Sequence, residues 1–511
     1  MRVLLFGIDG LTFRILNPLI ERGLLPNFQR VRDGGVEGIL RSTTPPMTPP
    51  AWMSIATGLL PSEHGVYDFW EYEQHEGDLK ASIMTHRRGG KAIWNILSEW
   101  GKRVVVANVP MTYPPEPVNG IMLSGYMAPD MRANVTYPAS FKEEVLLVAP
   151  DYQIDLDPAV SGGQIGDPLA ETLKMTRGRL SMFRLALSKP WDFCFLACSG
   201  ADRIQHLRWD AIMNFHPQAV EYYQMLDEAL GLMLAQLHSD DLLMIVSDHG
   251  FRGVRRKFYV QEYLHKLGLL RMKDSGKRQR AEIVGQMRQS VRRLGLQPLA
   301  RFLRQQLRRT GLMKIEKEQH AVQLPNLDWS RTLAWIPSAS GALAGYADIF
   351  LDSHLSENEI QSLMQTFKEL HDPQTGQPLF IELHREDVYG TGAFAPPERH
   401  LIVLSNEQTT LPTELGRGEL WETSDVTAGI HHPDGVLYLY GAGVKQGEKI
   451  APTHVCDVVP TILSHMGIPL PDNLNGHMMQ NAFAQVIAPP IPRNGEGIVK
   501  QKLKKLTSRI L

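Results

Sequence analysis

Short, almost wholly apolar runs recur along the chain at Arg2–Ile8, Arg103–Val109, Phe193–Cys198, Leu242–Ser247, His400–Leu404 and Val436–Tyr440. Their length and β-branched or Leu-rich make-up predict strands buried on both faces. Between them lie segments with apolar positions at helical period. Trp94–Trp100 is one, and Leu169–Leu187 and Ala219–Leu237 are longer. Val455–Met466 is another and stops at Gly467 and Pro469. Buried strands alternating with amphipathic helices predict an α/β protein, with a mostly parallel central sheet and helices on both faces.

One stretch breaks this rhythm. From about Lys266 to Lys317 the chain is rich in Arg and Lys and poor in acids. Leu294, Leu299, Leu303 and Leu307 recur there at near-helical spacing, which predicts basic amphipathic helices broken at Gly295 and Pro298. A strand–helix–strand pattern follows at Ala347–Leu351, Glu357–Leu370 and Leu379–Leu383. Together these read as a cap inserted over the carboxyl end of the sheet. The chain then divides into a catalytic core of 1–263 and 398–487, an inserted cap of 264–397, and a basic tail of 488–511. A length of 511 residues suits one large domain with insertions, or two domains.

Composition narrows the class further. A hydrophobic share of 43% and a charged share of 21% are those of an ordinary globular protein. The net charge of -2 exerts no global pull on nucleic acid or anionic membrane, and no sequence-specific nucleic-acid contact is expected. The basic stretch leaves three readings open: a solvated helical face, an electrostatic surface for an anionic substrate, or a docking face for nucleic acid or an anionic membrane. Its interleaved Leu and Phe302 suit a membrane surface better than a base-stacking platform. Cys194, Cys198 and Cys456 form no disulfide framework, which fits a reducing compartment. No run approaches the roughly 18 apolar residues of a membrane span, and no signal-peptide pattern opens the chain. The expected location is cytoplasmic, with a peripheral membrane contact as the variant that the basic segments suggest.

Chemically loaded residues fall just past the strand-like runs. Asp9 follows VLLFGI, Asp202 follows FCFLACSGA, and Asp248 with His249 follows LLMIVS. In open α/β sheets ligands sit beyond the carboxyl strand ends, so this pattern gathers the segments at one edge. Asp202 and His206 are spaced to share one face of a helix that starts at Asp202. His431 lies in GIHHPDG, a turn-like segment before Val436–Tyr440. Carboxylates and imidazoles converging in this way are ligands for divalent metals. Thr48 stands between proline-rich stretches and ahead of a helix-like run, Ala51–Thr57. It reads equally as that helix's cap, with the first amides aimed at an anion, or as a hydroxyl nucleophile activated by metal.

The motifs LLFGIDGLTF, TPPMTPPAWMSIATGLLPSEHGV, SGADRIQH, IVSDHGF, GIHHPDGVLYLYGAGV and HVCDVVPTILSHMGIPLP occur in this order. Through them the chain resembles the alkaline phosphatase superfamily. Within it, the chain is similar to the type I phosphodiesterase/nucleotide pyrophosphatase family, in its cytoplasmic bacterial and archaeal branch. The resemblance implies an alkaline-phosphatase-like fold and two divalent metal ions, both usually zinc, with manganese as the alternative metal. It implies one site of Asp9, Thr48, Asp248 and His249 and another of Asp202, His206 and His431. Thr48 would attack phosphorus in a small phosphate-ester or nucleotide-like substrate and form a phosphothreonine that water hydrolyses. His64 is read as ordering the turn after the nucleophile helix. There is one departure. Family members that cleave nucleotides commonly carry Asn three residues after the nucleophile, where this chain has Ala51. The Trp52 indole or backbone amides are the candidate replacements.

Phosphodiester hydrolysis is therefore the expected activity. The alternatives are a phosphomonoesterase or phospho-group transferase of the same superfamily, or a binding protein acting through its basic cap. The sulfatase branch is disfavoured, because TPPAW lacks that branch's modified residue and arginine.

Overall fold

Alternation along the first strand, β1 (Val3–Ile8), sets the layering. All six of its residues are buried. Leu4, Phe6 and Ile8 enter one apolar cluster, while Val3 and Leu5 enter a second on the opposite face. This period of two gives each face of the sheet its own helical layer. The computed structural model describes residues 1–75, 78–83, 88–156, 166–273, 327–337, 345–396, 399–415 and 417–487. The expected basic helices around Leu294–Leu307 and the expected tail helix lie outside the described residues.

The central sheet also contains β2 (Val36–Arg41), β3 (Val104–Ala107), β4 (Gly120–Leu123), β5 (Phe193–Cys198) and β6 (Leu242–Val246). The order across it is β6, β1, β5, β3, β4, all parallel. The antiparallel strand Asp434–Gly441 joins β6 to β2 on the far side. With helices on both faces, this is the expected α/β class. The parallel registers Leu5↔Phe195 and Leu5↔Met244 bring the carboxyl ends of β5, β1 and β6 level with one another. Asp9, Asp202 and Asp248 follow those three ends.

Two smaller sheets stand over this edge. In the first, β7 (Gly250–Phe258) pairs antiparallel with β8 (Trp421–His432). The second has four strands in the order Ala334–Trp335, Tyr346–Leu351, Arg399–Ser405, Phe380–Arg385. The helix Glu357–Lys368 buries Ile360, Leu363 and Phe367 against the apolar cluster of that sheet. A buried ion pair ties the two sheets together, with Arg256 Nη2 2.9 Å from Asp372 Oδ1 and Arg256 Nε donating to Asp372 Oδ2 at 3.0 Å. Arg252 Nη2 donates to the Ser405 carbonyl at 3.1 Å.

Here two sequence expectations are corrected. Arg399–Ser405, read with the core, pairs with the cap strands instead, because a short buried apolar run looks the same in either sheet. GIHHPDG, read as a turn, begins inside the twelve-residue strand β8; most of that strand's earlier residues are exposed or half-buried and give no apolar run. Among the described residues no helix is long and apolar enough to cross a membrane.

Gly7 shows how tightly the first strand is fitted. A Cβ there would stand 2.5 Å from the Trp52 ring and 3.1 Å from the Phe195 ring. Gly7→Ala is expected to destabilise the fold by about 1–3 kcal/mol, the usual range for overpacking a filled core. Thermal unfolding reads this as a lowered Tm; an unchanged or higher Tm would contradict the packing described.

Candidate metal centre

Each side chain of the centre is delivered by a different element, and the backbone explains why it points inward. Asp9 follows β1, and its Oδ2 accepts from the Trp52 indole at 3.2 Å. Asp248 follows β6, and its Oδ1 accepts from the Gly10 amide at 3.1 Å. Gly10 has φ +70, and a Cβ there would stand 2.6 Å from the Phe251 ring, so a side chain is excluded on both counts. Asp202 lies in the first turn of α3 (Gly200–Met213), where its four-residue spacing sets His206 on the same face. His431 is placed by the β7–β8 register, opposite Phe251.

The nucleophile candidate sits on another helix. Helix Thr48–Thr57 begins with Thr48 itself, while Met47 holds the cap position without a side-chain bond. Thr48 is thus not the cap. The anion-binding amides expected at this helix start are largely missing as well. Pro49 and Pro50 have no N–H, and the Ala51 amide donates to the Met47 carbonyl at 3.1 Å. Ala51 and Trp52 are fully buried, and the indole is directed at Asp9. Thr48 Oγ1 lies 3.3 Å from His249 Nε2.

The predicted residues meet at one place. His249 Nε2 is 3.5 Å from Asp9 Oδ1 and 3.2 Å from Asp248 Oδ2. Asp202 Oδ1 is 3.2 Å from both His206 Nε2 and His431 Nε2. Ligand atoms of Asp9, Asp248 and His249 lie within 4.8 Å of one another, as do those of Asp202, His249 and His431. His249 stands between the two groups, its ring stacked on His431 at 3.6 Å between centroids.

The tautomers follow from the backbone. Nδ1 of His206 faces the Gly429 carbonyl at 2.9 Å, that of His249 the Gly250 carbonyl at 3.1 Å, and that of His431 the Pro46 carbonyl at 2.9 Å. A carbonyl only accepts, so each Nδ1 carries the proton. Each ring then turns its Nε2 inward, the atom that would ligate a metal, with Nδ1 making the second, anchoring bond. Two such atoms, on His206 and His431, approach to 3.0 Å.

Charge makes the same point. Burial raises the Asp9 carboxyl well above its ordinary 3.8, with repulsion from Asp248 and Asp202 adding to it. Asp248 is raised by burial and then by Asp202, against the Gly10 amide that donates to it. Burial opposes ionisation of Asp202 too, but His206, His431 and Arg203 outweigh it and hold that carboxyl well below 3.8. Burial and the neighbouring His431 push His249 well below 6.5. Asp9 Oδ1 and Asp248 Oδ2 are buried without a hydrogen-bond partner. Orphaned carboxylate oxygens facing imidazole lone pairs fit bound divalent cations, which would relieve both the repulsion and the lost hydration.

Three contributors went unnoticed in the sequence. Phe251 lies against all three imidazoles, at 4.7 Å from His206, 5.6 Å from His249 and 5.2 Å from His431 between centroids. Arg203 donates to Asp202 Oδ2 at 3.0 Å. Ser247 accepts from the Leu11 amide at 2.8 Å and donates to the His249 carbonyl at 2.6 Å, fixing the turn that carries Asp248. Ser247 and Phe251 both lie within the IVSDHGF motif, which was the one available signal. His64 is structural: its Nδ1 accepts from the Val66 amide at 3.1 Å and its Nε2 faces Ser54 Oγ at 3.1 Å. Burial and Arg88 hold its pKa down at about 3.

The model of the type I phosphodiesterase/nucleotide pyrophosphatase family matches residues 3–324. The chain belongs to this family. It is a phosphoric ester hydrolase with the alkaline-phosphatase-like fold. Solved structures agree on that fold. Murine ectonucleotide pyrophosphatase/phosphodiesterase 5, as an inactive Thr-to-Ala variant in complex with AMP, is 12% identical, with 95% of this chain and 100% of that one covered at a TM-score of 0.52. Phosphonoacetate hydrolase from Sinorhizobium meliloti 1021, in complex with phosphonoformate, is 15% identical, with 86% and 90% covered at a TM-score of 0.53. No curated protein matches the chain.

The raised carboxyls of this phosphodiesterase-family chain give a pH dependence with a definite sign. In the metal-free protein Asp9 and Asp248 keep protons at pH values above the ordinary 3.8. Cation binding needs them ionised, so zinc uptake releases protons and weakens as pH falls. Calorimetric titration in buffers of different ionisation enthalpy is expected to show net proton release on cation binding, with an affinity that falls as pH falls. Heats independent of the buffer would contradict the protonation described.

Proposed function

We propose that the chain is a two-metal phosphodiesterase that uses Thr48 as its nucleophile. The observation that carries this reading is the convergence of Thr48, three buried carboxylates and three inward-facing imidazoles at one sheet edge. Asp9, Thr48, Asp248 and His249 would hold one cation; Asp202, His206 and His431 would hold the other. Zinc suits this mixture of imidazole and carboxylate, with manganese as the other candidate. Bound there, the two cations would lower the pKa of the Thr48 hydroxyl and stabilise charge on the attacking and leaving oxygens.

The chain's own residues account for the remaining chemistry. Thr48 donates its proton toward His249 Nε2, but that imidazole is a weak base because burial depresses its pKa. An unassisted Thr48 is therefore a poor nucleophile. Its hydroxyl oxygen bonds to phosphorus as the leaving alcohol departs, giving a phosphothreonine. Water then attacks that phosphorus and returns Thr48. Phe251 and the fully buried Trp52 keep the surroundings of the carboxylates apolar, which strengthens every charge interaction at the centre.

Diester preference is favoured by Arg203, the cationic side chain bonded to the ligand set among the described residues. Arg203 is committed to Asp202 and Asp155, so its paired nitrogens are not available for the second charged oxygen of a monoester. A nucleotide-like substrate is supported by the AMP complex of the murine neighbour. Ala51 in place of the family's Asn argues that the phosphoryl contact is made differently. A cytoplasmic location is supported by the three buried free cysteines.

Thr48→Ala is expected to lower turnover of bis(4-nitrophenyl) phosphate by about a thousandfold or more, the scale for removing a covalent nucleophile. Zinc binding through the remaining ligands would persist. Rapid acid quench of the parent enzyme should trap a phosphoryl group on Thr48, seen by mass spectrometry of the peptide. Robust turnover by Thr48→Ala would exclude the mechanism.

A further inference from the structure

Asp202 uses its two oxygens differently. Oδ1 faces the imidazole pair, 3.2 Å from His206 Nε2 and 3.2 Å from His431 Nε2. Oδ2 accepts from Arg203 Nη1 at 3.0 Å. The same guanidinium donates through Nε to Asp155 Oδ1 at 2.7 Å, and Asp155 Oδ2 accepts from Ser199 Oγ at 2.6 Å. The Asp155 side chain is fully buried, and the Arg203 guanidinium lies over the Tyr126 ring at 4.3 Å. In turn, Tyr126 meets Phe69 edge to face at 5.3 Å. The guanidinium is thus fixed on two edges and one face.

We propose that Arg203, clamped by Asp155, is a positioning residue that turns Asp202 Oδ1 toward His206 and His431 and so sets how tightly that half of the centre holds its cation. This rests on the metal reading given above. A carboxylate turns freely about its last bond unless one oxygen is held. Here the held oxygen is Oδ2, which leaves Oδ1 as the ligand atom. The planar fork of Arg reaches two carboxylates with separate nitrogens, whereas Lys offers a single point charge. Asp155 has an electrostatic task as well. Without it, Arg203 would set an uncompensated positive charge beside the cation. The other half of the centre has no such device, since Asp9 and Asp248 are held by neutral donors, the Trp52 indole and the Gly10 amide. The clamp therefore makes the two halves unequal: its removal should be felt most at Asp202, and at the other half only through the charge that Arg203 sets near Asp9.

The test is a zinc titration of the full-length, chelator-stripped protein, followed by calorimetry and by competition with a chromogenic chelator. The parent is compared with Arg203→Met, Arg203→Lys and Asp155→Asn, and the Tm of each metal-free protein is read alongside. Arg203→Met is expected to weaken one of the two zinc sites by about 10–100-fold, the usual effect of losing a partner that orients a ligand, and to change the other much less. Arg203→Lys should show an intermediate loss, and Asp155→Asn should weaken the same site. Should Arg203→Met fail to fold, the other two variants decide the matter. A lowered Tm with both zinc affinities unchanged would reduce the clamp to a structural bond and overturn the proposal. A parent that binds no zinc would overturn the metal reading, and the clamp with it. Two parent sites with unchanged variants would overturn the clamp alone.

Discussion

Three carboxylates buried at one edge of a sheet repel one another, and the rest of the centre is arranged around that repulsion. Asp9, Asp202 and Asp248 are 3%, 3% and 0% exposed, so water does not screen them. Each comes from the end of a different strand, and the three strands are neighbours in parallel register. No unpaired carboxylate is stable at such a position unless it takes up a proton or a cation. The structure shows the first resolution in Asp9 and Asp248, whose pKa values burial raises. The second is prepared by three histidines, each held by a main-chain carbonyl so that its Nε2 faces the carboxylates.

The surrounding packing preserves this tension. Phe251 fills the space among the three imidazoles, and Trp209 stacks on it at 6.3 Å between centroids. Trp52 covers Asp9 from below while its ring rests against Gly7. From above, the cap reaches the residue before Thr48: Met47 shares an apolar cluster with Tyr346, Tyr389, Ile402 and Leu404. Thr48, next in the chain, turns its hydroxyl to His249. The carboxyl edge of the parallel sheet carries the three aspartates, and the small antiparallel sheet above it adds His431.

The parallel core and the clustering of chemically loaded residues were legible because several apolar runs are each followed by Asp; one such run is a weak signal, and their recurrence at successive strand ends is what carries it. The i, i+4 pair Asp202 and His206 was legible as well, since helical geometry alone joins them. Relationships that depend on tertiary contact were not. β8 is half exposed over much of its length, so nothing in its composition announced a strand. β2 contains Glu37 and Gly38 and was missed, although it lies between two other strands of the sheet. The bond from Trp52 to Asp9 was not visible, because the two are 43 residues apart. The Arg203–Asp155 pair spans 48 residues, and neither member stands at a strand end. The proline pair at Thr48 carried the opposite meaning from the one its helix start suggested. Proline fits the first turn of a helix, but it removes the amides that an anion would need.

The most direct measurement is the anomalous scattering of a zinc-soaked crystal, collected on either side of the zinc absorption edge. The convergence of ligands predicts two strong peaks, one among Asp9, Thr48, Asp248 and His249 and the other among Asp202, His206 and His431. Peaks only elsewhere, such as the exposed group His238, Asp240 and Asp241, would contradict it.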